Sequence, residues 1–265
     1  MKKLLSLCFL VFLTLQITGQ IYIDLKQFKD AGIDINQSPP QDLLNLGLGN
    51  CDMALIKSAI AKGADVNKQF EGAGISTFPL CSAIGAASGV MLPADYSIIA
   101  NQVLEGGSDV YSGRSVSDLR RDYIVIIRFF LQNGAKVNIS SDFDSDNIPL
   151  LISAKNRDIE IIKLLLDFKA DPNIRDDKGM TALHLLGAPV AVPLPYKNAP
   201  EIAKLLISKG AKMTKVHLTD ETPLAFVKSM LNIIQSPEAS YWRDLPFYNE
   251  LVNSLKGLID IYIRL

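Results

Sequence analysis

Two histidines, His184 and His217, are all that 265 residues supply. A Cys/His or Ser/His nucleophilic pair and a His-rich metal site both need imidazole nitrogens converging on one point, so the material for either is thin. His184 could serve as a general base, whereas His217 has no cysteine or histidine nearby at ligand spacing. Asp142, Asp144 and Asp146 alternate like the opening of a calcium loop. The sixth position of that loop is Asn147 where a sharp turn wants Gly, and the twelfth is Ser153 where a bidentate Glu is needed, which argues against calcium. Arg114, Arg120 and Arg121, interleaved with Asp118 and Asp122, could hold an anion; a solvated amphipathic helix carries the same mixture. No catalytic residue, metal ligand or cofactor is assigned. With 27 basic and 28 acidic side chains the chain lacks the broad positive field that phosphate backbones require, so nucleic acid is not an expected partner.

The N-terminus reads as an address. Lys2 and Lys3 precede an apolar run from Leu4 to Leu15, and Thr18-Gly19-Gln20 offers a small residue for a signal peptidase. That run falls short of the ~18 to 20 residues needed to cross a bilayer, so residues 1–19 are expected to be a cleaved signal peptide and no stable membrane anchor is expected afterwards. Cys8 sits inside the run and leaves with it, and losing Lys2 and Lys3 makes the mature chain mildly acidic. The expected location is exported, either periplasmic or secreted.

What must position the remaining side chains is a repeat. Gly63-Ala-Asp-Val-Asn67, Gly134-Ala-Lys-Val-Asn138, Lys169-Ala-Asp-Pro-Asn173 and Gly210-Ala-Lys-Met-Thr214 are copies of one phrase. An apolar helical run precedes each, with a basic residue at a constant place: Lys57, Arg128, Lys163 and Lys204. A second phrase lies further along: Phe78-Pro-Leu-Cys-Ser-Ala83, Ile148-Pro-Leu-Leu-Ile-Ser153, Thr181-Ala-Leu-His-Leu-Leu186 and Thr222-Pro-Leu-Ala-Phe-Val227. The second phrase starts a helix: Thr accepts from free N–H groups, Pro at the first position gives up a donor that had no partner, and Leu begins the buried stripe. In the first phrase Gly ends a helix in the left-handed conformation, and Ala leaves room for the next repeat. Lys169 replaces that Gly, so the third unit should end its helix under strain or with another cap. The closing Asn is expected to fold onto the backbone of the turn after it.

Paired helices separated by these phrases resemble the ankyrin repeat, whose period is ~33 residues. Asp176-Asp-Lys-Gly-Met-Thr-Ala-Leu-His184 matches that family's hairpin and helix start most closely. The resemblance implies an all-α solenoid of about five repeats over residues 42–265, after a cap segment at 20–41. Insertions at 86–122, 187–199 and 235–247 all fall between the two helices of a repeat, so they should line one edge while hairpin tips line the other. The first contains Tyr96 to Val110, which partly mimics the repeat phrase; the spacing from Gly63 to Gly134 is about twice the family period of ~33 residues, so a degenerate extra repeat stays open. Cys51 maps to a helix joint and Cys81 to the hairpin end of the next unit. Their separation of roughly a helix length argues against a disulfide, which needs alpha carbons within ~7 Å.

The resemblance also places His184 at the family's helix-start histidine, where the ring bonds the backbone of a neighbouring hairpin. It implies a protein-binding scaffold, expected to be monomeric, whose contact positions are Gly74, Ile75 and Thr77; Asp144, Ser145, Asn147, Lys155 and Asn156; Asp177, Lys178 and Met180; and Leu218, Thr219 and Glu221. Tyr241, Trp242, Phe247 and Tyr248 could be interface anchors or a plug for the last repeat. Two further readings stay open: an enzyme or small-ligand binder with a site built by residues 86–122, and a shielding or neutralising partner of a secreted enzyme or toxin, as in similar exported bacterial ankyrin proteins.

Overall fold

The computed structural model describes residues 37–72, 75–89, 115–139, 147–189, 194–216 and 220–265. Residues 1–36 with Cys8 and the expected signal peptide, residues 96–110, Asp142, Asp144, Asp146, Arg114 and His217 lie outside the described residues, as do the predicted contacts Gly74, Ser145, Leu218 and Thr219. The chain forms two compact units, Met1–Ala135 and Lys136–Leu265.

The first unit contains two antiparallel helix pairs: α1 (Pro40–Gly49) with α2 (Met53–Ala61), and α3 (Pro79–Gly89) with α4 (Val116–Gln132). Helix α1 begins at Pro40, two residues ahead of the expected boundary, because Pro at the first position is preorganised for helix. Helix α4 begins at Val116 with Ser115 capping the N–H of Asp118, so 116–122 are helix rather than insertion. Arg120, Arg121, Asp118 and Asp122 thereby become neighbours on that helix, where exposed Arg121 pairs with half-buried Asp118 at 2.6 Å and Arg120 donates to the carbonyl of Ala87 at 3.1 Å. Between the pairs, β1 (Phe70–Gly72) and β2 (Ile75–Thr77) pair antiparallel, with Phe70 opposite Thr77, so the hairpin leading into α3 has true strand character. Tyr123 reaches across the pairs and donates to the carbonyl of Leu48 at 3.2 Å.

Three pairs build the second unit: α5 (Pro149–Lys155) with α6 (Ile159–Asp167), α7 (Ala182–Leu185) with α8 (Ala199–Ser208), and α9 (Pro223–Gln235) with α10 (Tyr248–Tyr262). First helices pack on first helices, α5 on α7 on α9, and α8 packs on α10. Ile161, Leu165, Leu183, Ile202, Leu206, Leu251 and Leu258 are fully buried along the resulting stripes. Short 3-10 helices at Tyr196–Asn198 and Pro237–Asp244 occupy the last two joints. Gly187 is required where a joint leaves α7, since a Cβ there would overlap Val227 Cγ2.

Helix ends obey the phrases. Gly63, Gly134 and Gly210 have φ of 94°, 84° and 94°, and Lys169 takes the same left-handed turn at φ 67°. The third unit therefore keeps the family's turn and accepts strain in a residue with a Cβ, instead of finding another cap. Among the alanines next to these positions, Ala170 is fully packed and Ala64, Ala135 and Ala211 are half-buried.

The closing Asn does not fold onto the backbone of the turn after it. That local bond belongs to Asp65 and Asp171, whose Oδ1 atoms accept from the N–H of Asn67 and Asn173 at 2.8 Å each. The asparagine instead reaches into the next repeat. Asn138 donates to the carbonyl of Lys169 at 3.0 Å and accepts from Asp171 N–H at 2.7 Å. Asn173 does the same with Gly210 and Lys212, at 2.9 and 2.8 Å, and Asn67 donates to Gly134 at 2.9 Å. Within the first unit Gln41 takes the same role, accepting from Asp65 N–H at 3.2 Å. Thr214, at the same place in the fourth phrase, has its Oγ1 buried without a hydrogen bond.

Candidate functional site

The hairpin between α6 and α7 is locked from within. Asp176 is buried, and its Oδ1 accepts from Lys178 N–H at 3.0 Å and Met180 N–H at 2.7 Å, while its own N–H donates to the carbonyl of Met180 at 3.1 Å. Gly179, at φ 82°, supplies the left-handed turn residue that lets the chain reverse. Burial pushes the Asp176 carboxyl up from its ordinary value, against the two backbone donors that favour its charge. The consequence is a fixed main chain with Asp177 and Lys178 exposed at the tip and Met180 half-buried beneath them.

His184 joins this hairpin to the next. Its Nδ1 accepts from the N–H of Thr181 at 3.2 Å and contacts Thr181 Oγ1 at 2.9 Å, which leaves the ring proton on Nε2 to donate to the carbonyl of Glu221 at 3.3 Å. The ring is fully buried and meets Phe226 edge-on at 6.1 Å. Burial drives its pKa down to about 4, with the charge of Arg175 adding to the fall and the Glu221 carbonyl opposing it. Both nitrogens are committed to main chain or cap, so the imidazole is held neutral as a spacer between hairpins. Glu221 is half-buried, and its carbonyl also accepts from Val216 N–H at 2.9 Å.

The other predicted contacts fall at two ends of the helices. Thr77 closes β2, Ile75 opens it, and half-buried Asn147 lies two residues ahead of α5, all at hairpin ends. Lys155 and Asn156 end α5 and lie at the opposite, joint end of the repeat, both half-buried. Asn156 and Lys155 are therefore not neighbours of the hairpin tips along their own helix.

Sequence reasoning missed the next residue along, Arg157. It sits in the left-handed conformation, φ 55°, and is fully buried. Its guanidinium donates to the carbonyls of Lys155, Leu186 and Ala188 and lies 4.3 Å over the ring of Tyr196, which in turn stacks on Phe247 at 5.7 Å and 17°. Burial pulls its pKa down to about 10. A signal was present: Asn50-Cys51-Asp52 and Asn156-Arg157-Asp158 are one phrase, both with a left-handed middle residue and an Asp that caps the helix after it. Cys51 and Cys81 are both buried as free cysteines.

Of the terminal aromatics, Trp242 and Phe247 are buried, Tyr248 is half-buried, and Tyr241 leans on Trp242 at 5.2 Å with 57% of its surface exposed. The cluster is mainly a plug, with one ring facing solvent. No group of three or more His, Cys, Asp or Glu residues that could hold a metal ion occurs among the described residues, and none of the described helices is long and apolar enough to cross a membrane.

Residues 119–217 match the family model for ankyrin repeats, in three copies. The chain is 32% identical over 217 residues to a mimivirus (Acanthamoeba polyphaga mimivirus) protein that carries the name ankyrin repeat protein R841; the match spans 77% of this chain and 34% of that one. It is also 32% identical over 133 residues to a fowlpox virus (strain NVSL) protein carrying the name ankyrin repeat protein FPV222, spanning 40% of this chain and 17% of the relative. The chain thus spans about a third or less of the length of these relatives. With its paired helices, left-handed helix ends and hairpin-to-hairpin bonds, the chain is an ankyrin repeat protein.

Proposed function

We propose that this chain is an exported, non-catalytic scaffold that binds another protein through its hairpin tips and the first helices beside them. Ankyrin repeats generally mediate protein–protein interaction and are typically non-catalytic. The observation that carries the finer reading is the hairpin at 176–180: its main chain is fixed by Asp176 while Asp177 and Lys178 project into solvent, so their contacts with a partner would cost little ordering entropy. The same reading takes Thr77, Asn147 and Glu221 as contacts at the hairpin ends of their own repeats. Lys155 and Asn156 belong to the joint edge in this reading. Export rests on the basic, apolar and small-residue order of residues 1–19. Expression of the full chain with N-terminal sequencing of the exported fraction should find a mature start near Gln20. Recovery of the uncleaved chain solely in the cytosol would remove export from the proposal and leave the binding reading to be judged by variants of Asp177 and Lys178.

A further inference from the structure

Arg157 carries two unfavourable features at one position. A left-handed φ of 55° strains any residue with a Cβ, and full burial strips water from a cation. No carboxylate is among its hydrogen-bond partners in the described residues, and its Nε is buried without a partner. Such a residue persists only where the surrounding structure over-determines it, so the compensation must lie in what the guanidinium holds together.

Its surroundings belong to three successive joints. Lys155 O is the last carbonyl of α5, Leu186 O and Ala188 O lie just past the end of α7, and these orphan helix-end carbonyls supply the negative partial charge that a carboxylate would otherwise bring. The face of Tyr196 covers the cation, and that ring stacks in turn on Phe247. Three further bonds run along the same line: Asn198 Nδ2 donates to the carbonyl of Arg157 at 3.3 Å, Ser254 Oγ donates to the carbonyl of Tyr196 at 2.7 Å, and Lys197 N–H donates to Glu250 Oε1 at 3.1 Å.

We propose that Arg157 is a clasp: a conformational device that fastens the joints of the third, fourth and fifth repeats into one ordered edge. Ordering at one joint is then transmitted to the next through the Arg157–Tyr196–Phe247 stack. Neither a partner nor export enters into this device.

Hydrogen–deuterium exchange of the full chain at neutral pH tests it, comparing wild type with Arg157→Gly and Tyr196→Leu. Glycine suits the left-handed backbone, so Arg157→Gly removes the guanidinium and relieves strain at once. In both variants the amides of 187–188, 196–198 and 237–247 should exchange about tenfold or more faster, while α6 and α9 keep wild-type protection. The distant response at 237–247 is what separates a clasp from a locally packed side chain. Wild-type exchange at 237–247 in either folded variant would overturn the proposal, and so would an equal rise throughout α6 to α10. If Arg157→Gly does not fold, Tyr196→Leu, which keeps apolar bulk and removes the ring face, decides between the same two outcomes.

Discussion

Protonating His184 would put a charge on a ring whose Nδ1 already accepts from Thr181 N–H and whose surroundings exclude water. The folded protein holds this proton far more weakly than the unfolded chain does, since the pKa drops from 6.5 to about 4. The contribution of the ring is therefore complete above about pH 6.5 and is lost as the pH falls from there towards 4, by on the order of 3 kcal/mol in full. Asp176 runs the other way: its raised pKa means its contribution is greatest below 3.8 and shrinks as the pH rises, so the two partly offset in strong acid. Urea unfolding at pH 7 and pH 5 should show wild type losing stability at the lower pH. His184→Ala should be ~1 to 3 kcal/mol less stable at pH 7 and much flatter between the two. A His184→Ala protein with the wild-type slope would assign the pH dependence to another group. Lys169 bears a cost of a different kind. Its φ of 67° is where the other three repeats place glycine. Lys169→Gly should therefore stabilise the protein by about 0.5 to 1 kcal/mol, relief of strain exceeding the added freedom of the unfolded chain. Equilibrium denaturation measures this directly, and a loss of stability would mean that the Lys169 side chain contributes more than its backbone costs.

Between helices and hairpins, the asparagine ladder and the buried stripes divide the work. Asn173→Ala breaks two bonds to the next repeat and should cost about 1 to 2 kcal/mol, while Leu165→Ala opens a cavity in a fully buried stripe and should cost ~2 to 5 kcal/mol. Denaturant midpoints for the two variants should rank in that order. The helix starts at Pro79, Pro149 and Pro223 and the left-handed ends at Gly63, Gly134, Lys169 and Gly210 were legible in the sequence because each depends on local backbone chemistry. The ladder was half legible: the asparagines recur, but their acceptors lie one repeat away and nothing local marks them. Of the Arg157–Tyr196–Phe247 stack, the sequence marks only the left-handed place of Arg157 and none of its partners. Tyr196 and Phe247 fall in segments where the repeat pattern is interrupted, so periodicity assigns them no position, and only folding brings the joints into contact. The start of α4 was missed for a related reason: the mixed charges of 114–122 were compatible with a helix, but the broken repeat pattern placed them in the insertion, and Ser115 is an ordinary cap that nothing else marks.

Across the chain, binding in the proposed manner requires that the repeats offer exposed tips of rigid hairpins to a protein partner. Asp177 and Lys178 are exposed and their side chains carry no part of the bonding that fixes the hairpin, which runs through Asp176 and main chain. Replacing both should change stability by no more than ~0.5 kcal/mol. Replacing Met180 as well is a harsher test, since it is half-buried. The decisive quantity is the affinity of the chain for a captured protein partner, compared between wild type, Asp177→Ala/Lys178→Ala and a deletion of residues 236–246. The folded double variant should bind at least about tenfold more weakly, equivalent to about 1.4 kcal/mol. Full affinity in the double variant, together with loss of binding in a still-folded deletion, would contradict a hairpin-tip interface and assign the partner to the joint edge.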